Sequence, residues 1–352
     1  MNIVVLAGGL SHERDVSLSS GSQIANALRK AGHRVVLADA YLGLPDEAFS
    51  TDPAQLFLGE DDGQPYSYTI PTQAPDLDAL RQAAGNGRAL VGRHVLEACR
   101  AADMVFFGLH GGMGENGQIQ ATFDVLGIPY TGSGYAGCLM AMDKDLSKLV
   151  MRAVGIKTPE WTVATLDDTD QAVAAKAAVV GYPCVVKPCS NGSSIGVFMV
   201  VRAEDLPDAV GQALQLEDRV LIERKIVGRE FSIGILEGQA LPVIEIIPRQ
   251  GFYDYKNKYQ ANMTEEICPA DLAEPVAAAM QRSAVRVGRA LHLGAYYRID
   301  YLMDKNGTFY CLEANTLPGM TPMSLIPQEA AVAGITYVEL CDRIVRSAAA
   351  AL

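Results

Sequence analysis

Near the C-terminal end, Tyr296-Tyr297-Arg298-Ile299-Asp300-Tyr301 is followed by Asp304-Lys305-Asn306-Gly307 and then by Phe309-Tyr310-Cys311-Leu312-Glu313-Ala314-Asn315. Two strand-like runs around an Asn-Gly pair are the strongest short-range hairpin signal. With Asn306 and Gly307 as a two-residue turn, antiparallel pairing sets Asp300 opposite Glu313 and Arg298 opposite Asn315. Side chains alternate along a strand, so all four project from one face. Two facing carboxylates in a half-buried sheet repel unless something positive lies between them. Magnesium suits that place, as a hard cation that takes oxygen ligands and often bridges to phosphates. The other reading is a structural ion pair of Asp300 with Arg298 or a distant Lys. The metal reading depends on the turn length, because a different loop shifts the pairing.

A chain of 352 residues is too long for one compact core and implies two or three domains. Its net charge is −12, without a Lys/Arg-rich block. Nucleic acid and anionic membrane are therefore not expected as partners, and any phosphate must be met by a few local donors. Apolar runs stay short of the roughly 18 residues of a membrane span. Met1-Asn2-Ile3-Val4-Val5-Leu6 has no charged leader and runs into a glycine turn, so it reads as a first strand and not a signal peptide. The seven cysteines lack a Cys-x-x-Cys pair, which fits reduced thiols in a cytoplasm. The five histidines lack metal-type spacing, so zinc is not expected.

The opening reads as βαβ: a strand over 2–7, a Gly8-Gly9 turn, a helix ending at Lys30-Ala31-Gly32 with Gly32 at C′, and a strand over 34–38. Residues 45–92 read as an insertion or a long irregular connection. A buried strand over 103–110, a glycine-rich turn, a helix to Leu126 and a short edge strand over 128–132 follow. Asp143 suits an N-cap for a helix over 144–153, which puts Leu146, Leu149, Val150 and Ala153 on one face before Gly155 ends it. Strands are expected at 184–187, 195–201, 219–223, 231–236 and 241–247, ahead of the hairpin and closing helices. The fold class is α/β and α+β, with an N-terminal open α/β domain over 1–140, a central unit over 141–220 and a third over 221–352.

Several segments carry possible chemistry. Lys187-Pro188-Cys189-Ser190-Asn191-Gly192-Ser193-Ser194-Ile195-Gly196 is a strand running into a small-residue loop. Such a loop lets backbone N–H groups approach phosphate oxygens while the Lys supplies charge. The spacing is not that of a Walker A loop, and a plain hairpin connection is the competing reading. Lys144 alone would be a solvated lysine. Glu223 ends an apolar strand, where it could accept hydrogen bonds from a ribose, and Glu230 follows closely. Gly8-Gly9 lacks the third glycine of a dinucleotide fingerprint. His12 and Glu13 follow that strand into the usual ligand crevice of an open α/β sheet. Beyond Asn315, the Pro318-Gly319 turn offers a backbone N–H as an oxyanion donor, or is simply a turn.

Taken together, the chain resembles the D-alanine–D-alanine ligases of the ATP-grasp superfamily. The resemblance rests on Gly8-Gly9 with Ser11 and Glu13-Arg14-x-Val16-Ser17, His110-Gly111 through Gly114-Glu115-x-Gly117, and Met142-Asp143-Lys144. It continues in Lys187-Pro188 with Gly192-Ser193-Ser194-x-Gly196, Gly228-x-Glu230-Phe231, Tyr253-Asp254-Tyr255 with Lys258-Tyr259, Arg298-x-Asp300, Glu313-Ala314-Asn315-Thr316 and Pro318-Gly319-Met320-Thr321. The His110 turn reads Gly-Gly-Met-Gly-Glu-Asn-Gly, off the commoner Gly-Arg-Gly-Gly-Glu-Asp-Gly.

The resemblance implies a three-domain ATP-grasp architecture with ATP between the central and C-terminal domains. Lys144, Lys187, Ser194 and Lys258 would contact the nucleotide, with Glu223 and Glu230 at its adenosine end. Asp300, Glu313 and Asn315 would hold two Mg²⁺, for which Mn²⁺ can substitute. Glu13 would bind the ammonium of a first D-alanine, with His110 in the same substrate site. Arg298 and the Gly319 N–H would meet the oxyanion. Ser324, with Leu325 beside it, would hold the second substrate's carboxylate. Tyr259 would reach Ser193 and Glu13 from a loop over 250–269 that closes on the site. A cytoplasmic homodimer making D-alanyl-D-alanine for peptidoglycan is also implied. The alternatives are a D-Ala–D-Ser or D-Ala–D-lactate ligase, or a nucleotide-binding regulator without catalysis. D-lactate-using relatives carry Phe or His where this chain has Tyr259.

Overall fold

The computed structural model describes residues 1–46, 53–58, 63–71, 73–192, 195–249 and 264–351. Three sheets organise them. The first is parallel, in the order β2 (Arg34–Asp39), β1 (Asn2–Ala7), β3 (Met104–Phe107). Helix Arg14–Lys30 connects β1 to β2 and ends in Gly32 at φ +90°, so the βαβ opening and its glycine stop are present. The segment at 128–132 forms only a single parallel bridge, Val105 to Tyr130, and not a full strand. Pro129 cannot donate to a ladder, which limits pairing there. The 45–92 segment is more regular than its composition suggested. Asp76 caps helix Leu77–Ala84 by accepting from the Asp78 and Ala79 N–H groups, and Gly85 closes it at φ +64°.

The second sheet is antiparallel, in the order β4 (Trp161–Thr165), β7 (Arg219–Arg224), β5 (Cys184–Pro188), β6 (Phe198–Val200). Helices Asp170–Val180 and Leu206–Leu214 cover one face of it. The third sheet runs β11 (Thr264–Ile267), β10 (Ile244–Pro248), β8 (Gly228–Leu236), β12 (Tyr296–Asp304), β13 (Phe309–Asn315), with β9 (Gln239–Ala240) paired to β8. The loop expected over 250–269 is thus shorter, because 264–267 are a strand on β10. Residues 250–263 lie outside the described residues.

The β12–β13 hairpin corrects the expected turn while keeping the expected pairing. Its loop has three residues: the Asp304 N–H donates to the Thr308 carbonyl, the Gly307 N–H donates to the Asp304 carbonyl, and Gly307 sits at φ +78°. That shifts the ladder by one residue, to Tyr301 opposite Cys311. A bulge after Asp300 takes up Leu312 and shifts it back, so Asp300 faces Glu313 and Arg298 faces Asn315. Leu312 and Glu313, neighbours in a strand, both line the same cavity.

Helix Lys144–Ala153 carries its cap as expected, with Asp143 accepting from the Leu146 N–H. Its buried face, however, is Lys144, Ser147, Lys148 and Met151. Leu146 and Leu149 are 36% and 43% exposed. The cavity and the buried carboxylate of Glu223 lie on the lysine side, which sets the rotation of the helix.

The first hydrophobic core is shared between distant parts of the chain. It joins Val4, Val5, Phe106 and Phe107 to Leu340, Cys341, Ile344 and Val345 from helix Tyr337–Ala349. That helix packs on helix Arg14–Lys30. The closing helix therefore completes the N-terminal domain.

Candidate active site

A cavity of about 750 Å³ separates the second and third sheets. Lys144, Lys187, Asn191 and Gly192 line one wall. Glu230, Ile246, Asp300, Leu302, Leu312 and Glu313 line the other. The two sheets bring basic residues from one side toward carboxylates of the other, and further charged residues such as Arg229 and Glu245 share the lining with aliphatic side chains. That composition suits a ligand with an apolar, flat part and a charged part.

Lys144 is buried; its ammonium donates to the Asn191 carbonyl at 2.8 Å and lies 3.7 Å from Glu313 Oε2. Lys187 Nζ donates to Glu223 Oε1 at 2.9 Å. Burial works against the Lys187 charge, but Glu223 and Glu313 outweigh it and raise its pKa. Burial likewise pushes the Glu223 carboxyl up, and Lys148 and Lys187 together outweigh it and hold it below the ordinary value. Sequence reasoning missed Lys148. It lies fully buried, 2.6 Å from Glu223 Oε2. A lysine in an amphipathic helix reads as solvated, and only its partner on β7 marks it otherwise. Glu223 is thus held between two lysines instead of standing free at a strand end.

Beside the cavity, Glu13 lies against the glycine turns at Gly111 and Gly192. Glu13 Oε2 lies where a Cβ on Gly111 would meet it at 2.7 Å and one on Gly192 at 3.4 Å. Gly192 therefore adjoins both the cavity and Glu13, and side chains at these two positions would crowd the Glu13 carboxylate. Ser11 Oγ donates to the His110 carbonyl. His110 is buried, with Nδ1 3.0 Å from the Leu317 carbonyl and Nε2 3.2 Å from Ser20 Oγ. Burial lowers its pKa, so the ring is neutral near pH 7 and Nδ1–H donates to Leu317. Glu115 has no role in the sequence reading beyond its place in a motif. Its Oε2 accepts from the Gly111 N–H at 2.6 Å. Burial, reinforced by the nearby Glu13, pushes its carboxyl up to about 8.

Arg298 donates through Nε and Nη2 to both oxygens of Asp300 at 2.9 Å, so the ion pair considered for the hairpin is present. Asp300 also accepts from Ser232 Oγ at 2.7 Å and Asn315 Nδ2 at 2.9 Å. Among the described residues no three His, Cys, Asp or Glu side chains converge as a ready-made metal cage. Two carboxylates and the Asn315 amide oxygen nevertheless fit Mg²⁺, which binds through one or two carboxylates and otherwise keeps water and phosphate oxygens. Ser324 Oγ accepts from the Thr321 N–H at 3.1 Å and lies 3.0 Å from where a Cβ on Gly319 would stand. Leu325 packs its side chain among Ile244 and Ile246. Only its backbone N–H, at the start of helix Leu325–Val332, could serve a ligand. Ser193, Ser194, Lys258 and Tyr259 lie outside the described residues.

Profiles described as D-ala D-ala ligase N-terminus and C-terminus match residues 2–133 and 150–346. The D-alanine–D-alanine ligase of Pediococcus pentosaceus is 43% identical over 350 residues, 98% of this chain and 97% of that protein. That of Lacticaseibacillus casei is 40% identical over 346 residues, 98% of this chain and 95% of the other. Among solved structures, a Bacillus anthracis D-alanine–D-alanine ligase complexed with ATP is 28% identical, with a TM-score of 0.75, covering 100% of this chain and 98% of that one. The Coxiella burnetii D-alanine–D-alanine ligase is 25% identical, with a TM-score of 0.76 and coverage of 100% and 94%.

Proposed function

This chain belongs to the D-alanine–D-alanine ligase family, and on that premise we propose that it joins two D-alanines at the expense of ATP, through a D-alanyl phosphate, to supply peptidoglycan. The observation that carries this reading is a lysine- and carboxylate-lined cavity whose wall at Gly192 lies beside Glu13. We keep the division into units over 1–140, 141–220 and 221–352 as the functional one, with nucleotide between the second and third.

A carboxylate is a poor electrophile, and phosphorylation by ATP converts it to an acyl phosphate. Lys144 and Lys187 offer charge to the phosphates from one wall. Asp300, Glu313 and Asn315 would hold Mg²⁺ on the other; when bound, it neutralises phosphate charge that the lysines alone leave. The cavity's aliphatic residues, with Glu230 on β8, suit the nucleoside end. Glu13 accepts from the ammonium of the first D-alanine, and neutral His110 adds no competing cation beside it. The amine of the second D-alanine then attacks the acyl phosphate. The oxygen of the tetrahedral intermediate is met by Arg298, held in place by Asp300, and by the Gly319 N–H. Phosphate leaves as the carbonyl re-forms. Ser324 and the Leu325 N–H suit the second substrate's carboxylate.

Phosphate release from ATP, measured with and without D-alanine, tests this. Strict dependence on D-alanine, with dipeptide as product, is expected. ATP binding without such dependence would leave a nucleotide-binding regulator instead. Running the assay with D-serine and D-lactate as second substrates separates the ligase alternatives. Tyr259→Phe is expected to keep peptide synthesis and gain ester formation with D-lactate; an unchanged product ratio from mixed D-alanine and D-lactate would remove Tyr259 from the choice.

A further inference from the structure

The Lys148 side chain is 0% exposed, so it cannot touch a ligand in the cavity. Its ammonium lies 2.6 Å from Glu223 Oε2, donates to Thr158 Oγ1, and stands 5.1 Å from the centroid of Trp161. Glu223 is itself buried and shares its other oxygen with Lys187. Two lysines thus bracket one carboxylate, leaving an excess positive charge beside the cavity wall. Buried pairs are sensitive to the loss of one partner, because the remaining charge seeks whatever compensation is left. Without Lys148, Glu223 would be neutralised by Lys187 alone, and Lys187 would be drawn fully into that pair.

We propose that Lys148 is a positioning residue for nucleotide binding: by occupying Glu223 from behind, it keeps the charge of Lys187 available to an anionic ligand in the cavity. This rests on the reading of the cavity as the nucleotide site. Lys148 acts through Glu223 and Lys187, not by contact.

The protein contains a single tryptophan, Trp161, which is 7% exposed and pairs with Glu223 across β4 and β7. Its fluorescence can follow ATP binding beside calorimetry. In Lys148→Met the dissociation constant and KM for ATP should rise about tenfold. KM for D-alanine should stay unchanged, and kcat at saturating ATP should stay within about threefold. Lys148→Arg, which keeps a cation beside Glu223, should hold ATP affinity near the parent value while Lys148→Met loses it; a merely structural role for Lys148 would not be rescued by charge alone. Thr158→Val, which leaves Lys148 in place but removes its second partner, should shift ATP affinity in the same direction by less, and decides the matter if Lys148→Met does not fold. Parent-like ATP affinity in folded Lys148→Met, or failing that in Thr158→Val, overturns the proposal. A parent protein that binds no ATP overturns the nucleotide reading instead.

Discussion

Glu115 and Glu13 place two carboxyls beside one another, and burial keeps the Glu115 proton on up to about pH 8. A carboxyl whose folded pKa is raised binds protons more tightly in the native state than in the unfolded chain. Between its ordinary value of 4.5 and about 8, stability therefore falls as pH rises, and the loss is complete above that. Glu115→Gln keeps an acceptor for the Gly111 N–H and removes the titration. Urea midpoints should then decline less between about pH 5 and pH 8, with a gain of roughly 1–2 kcal/mol over the parent at the upper end. Parallel curves for the two proteins would show that Glu115 ionises freely. Glu313→Gln removes one of the two facing carboxylates without changing shape. Turnover should fall by two orders of magnitude or more, about 3 kcal/mol of transition-state stabilisation, and near-normal turnover at saturating Mg²⁺ would remove Glu313 from the ligand set. Glu313 was legible in the sequence because its partner stands on the adjacent strand. Lys148 was not, because its partner Glu223 lies far along the chain and nothing local distinguishes a buried lysine from a solvated one.

At the level of the element, the β12–β13 hairpin has two irregularities that cancel. The Asn-Gly signal located the turn, but the loop took Lys305 as well, and the bulge at Leu312 restored the register at Asp300. The pairing near the site is therefore set by the turn and the bulge together, and the bulge is the irregularity that lies next to Glu313. Deleting Lys305 leaves Asp304 and Thr308 to close an Asn-Gly two-residue turn, and activity should stay within about tenfold of the parent. Deleting Leu312 removes both a cavity wall and the local twist that aims Glu313; turnover should fall by about two orders of magnitude in a protein that still folds. Equal activity in the two deletions would show that the bulge has no part in aiming Glu313. Bulges leave no mark in hydrophobic alternation, since the extra residue here is an ordinary leucine. The helix Lys144–Ala153 is a related case. Its leucines suggested the buried face, yet ion pairing with β7 and the cavity turned its lysines inward. By contrast, Asp76 and Gly85 are ordinary cap signals around a real helix, hidden by the Pro- and Gly-rich composition around them.

Over the whole molecule, three sheets meet at one site and the last described helix returns to the first domain. Strand positions along the chain were readable locally, whereas this return was not: Leu340, Ile344 and Val345 show an apolar helical face but not which sheet receives it. Ile344→Ala should lower stability by about 2–5 kcal/mol in a denaturant titration, and unfolding should be felt in the N-terminal domain. Loss confined to the third sheet would contradict the shared core. The same packing orders events during synthesis. β3 ends at Phe107, while the helix that seals its core begins at Tyr337. At the usual pace of the ribosome, the nascent first domain waits about 10–50 seconds for that helix. During that interval its unsealed apolar surface is open to chaperones and proteases, so the earliest-made part of the enzyme is among the last to be completed.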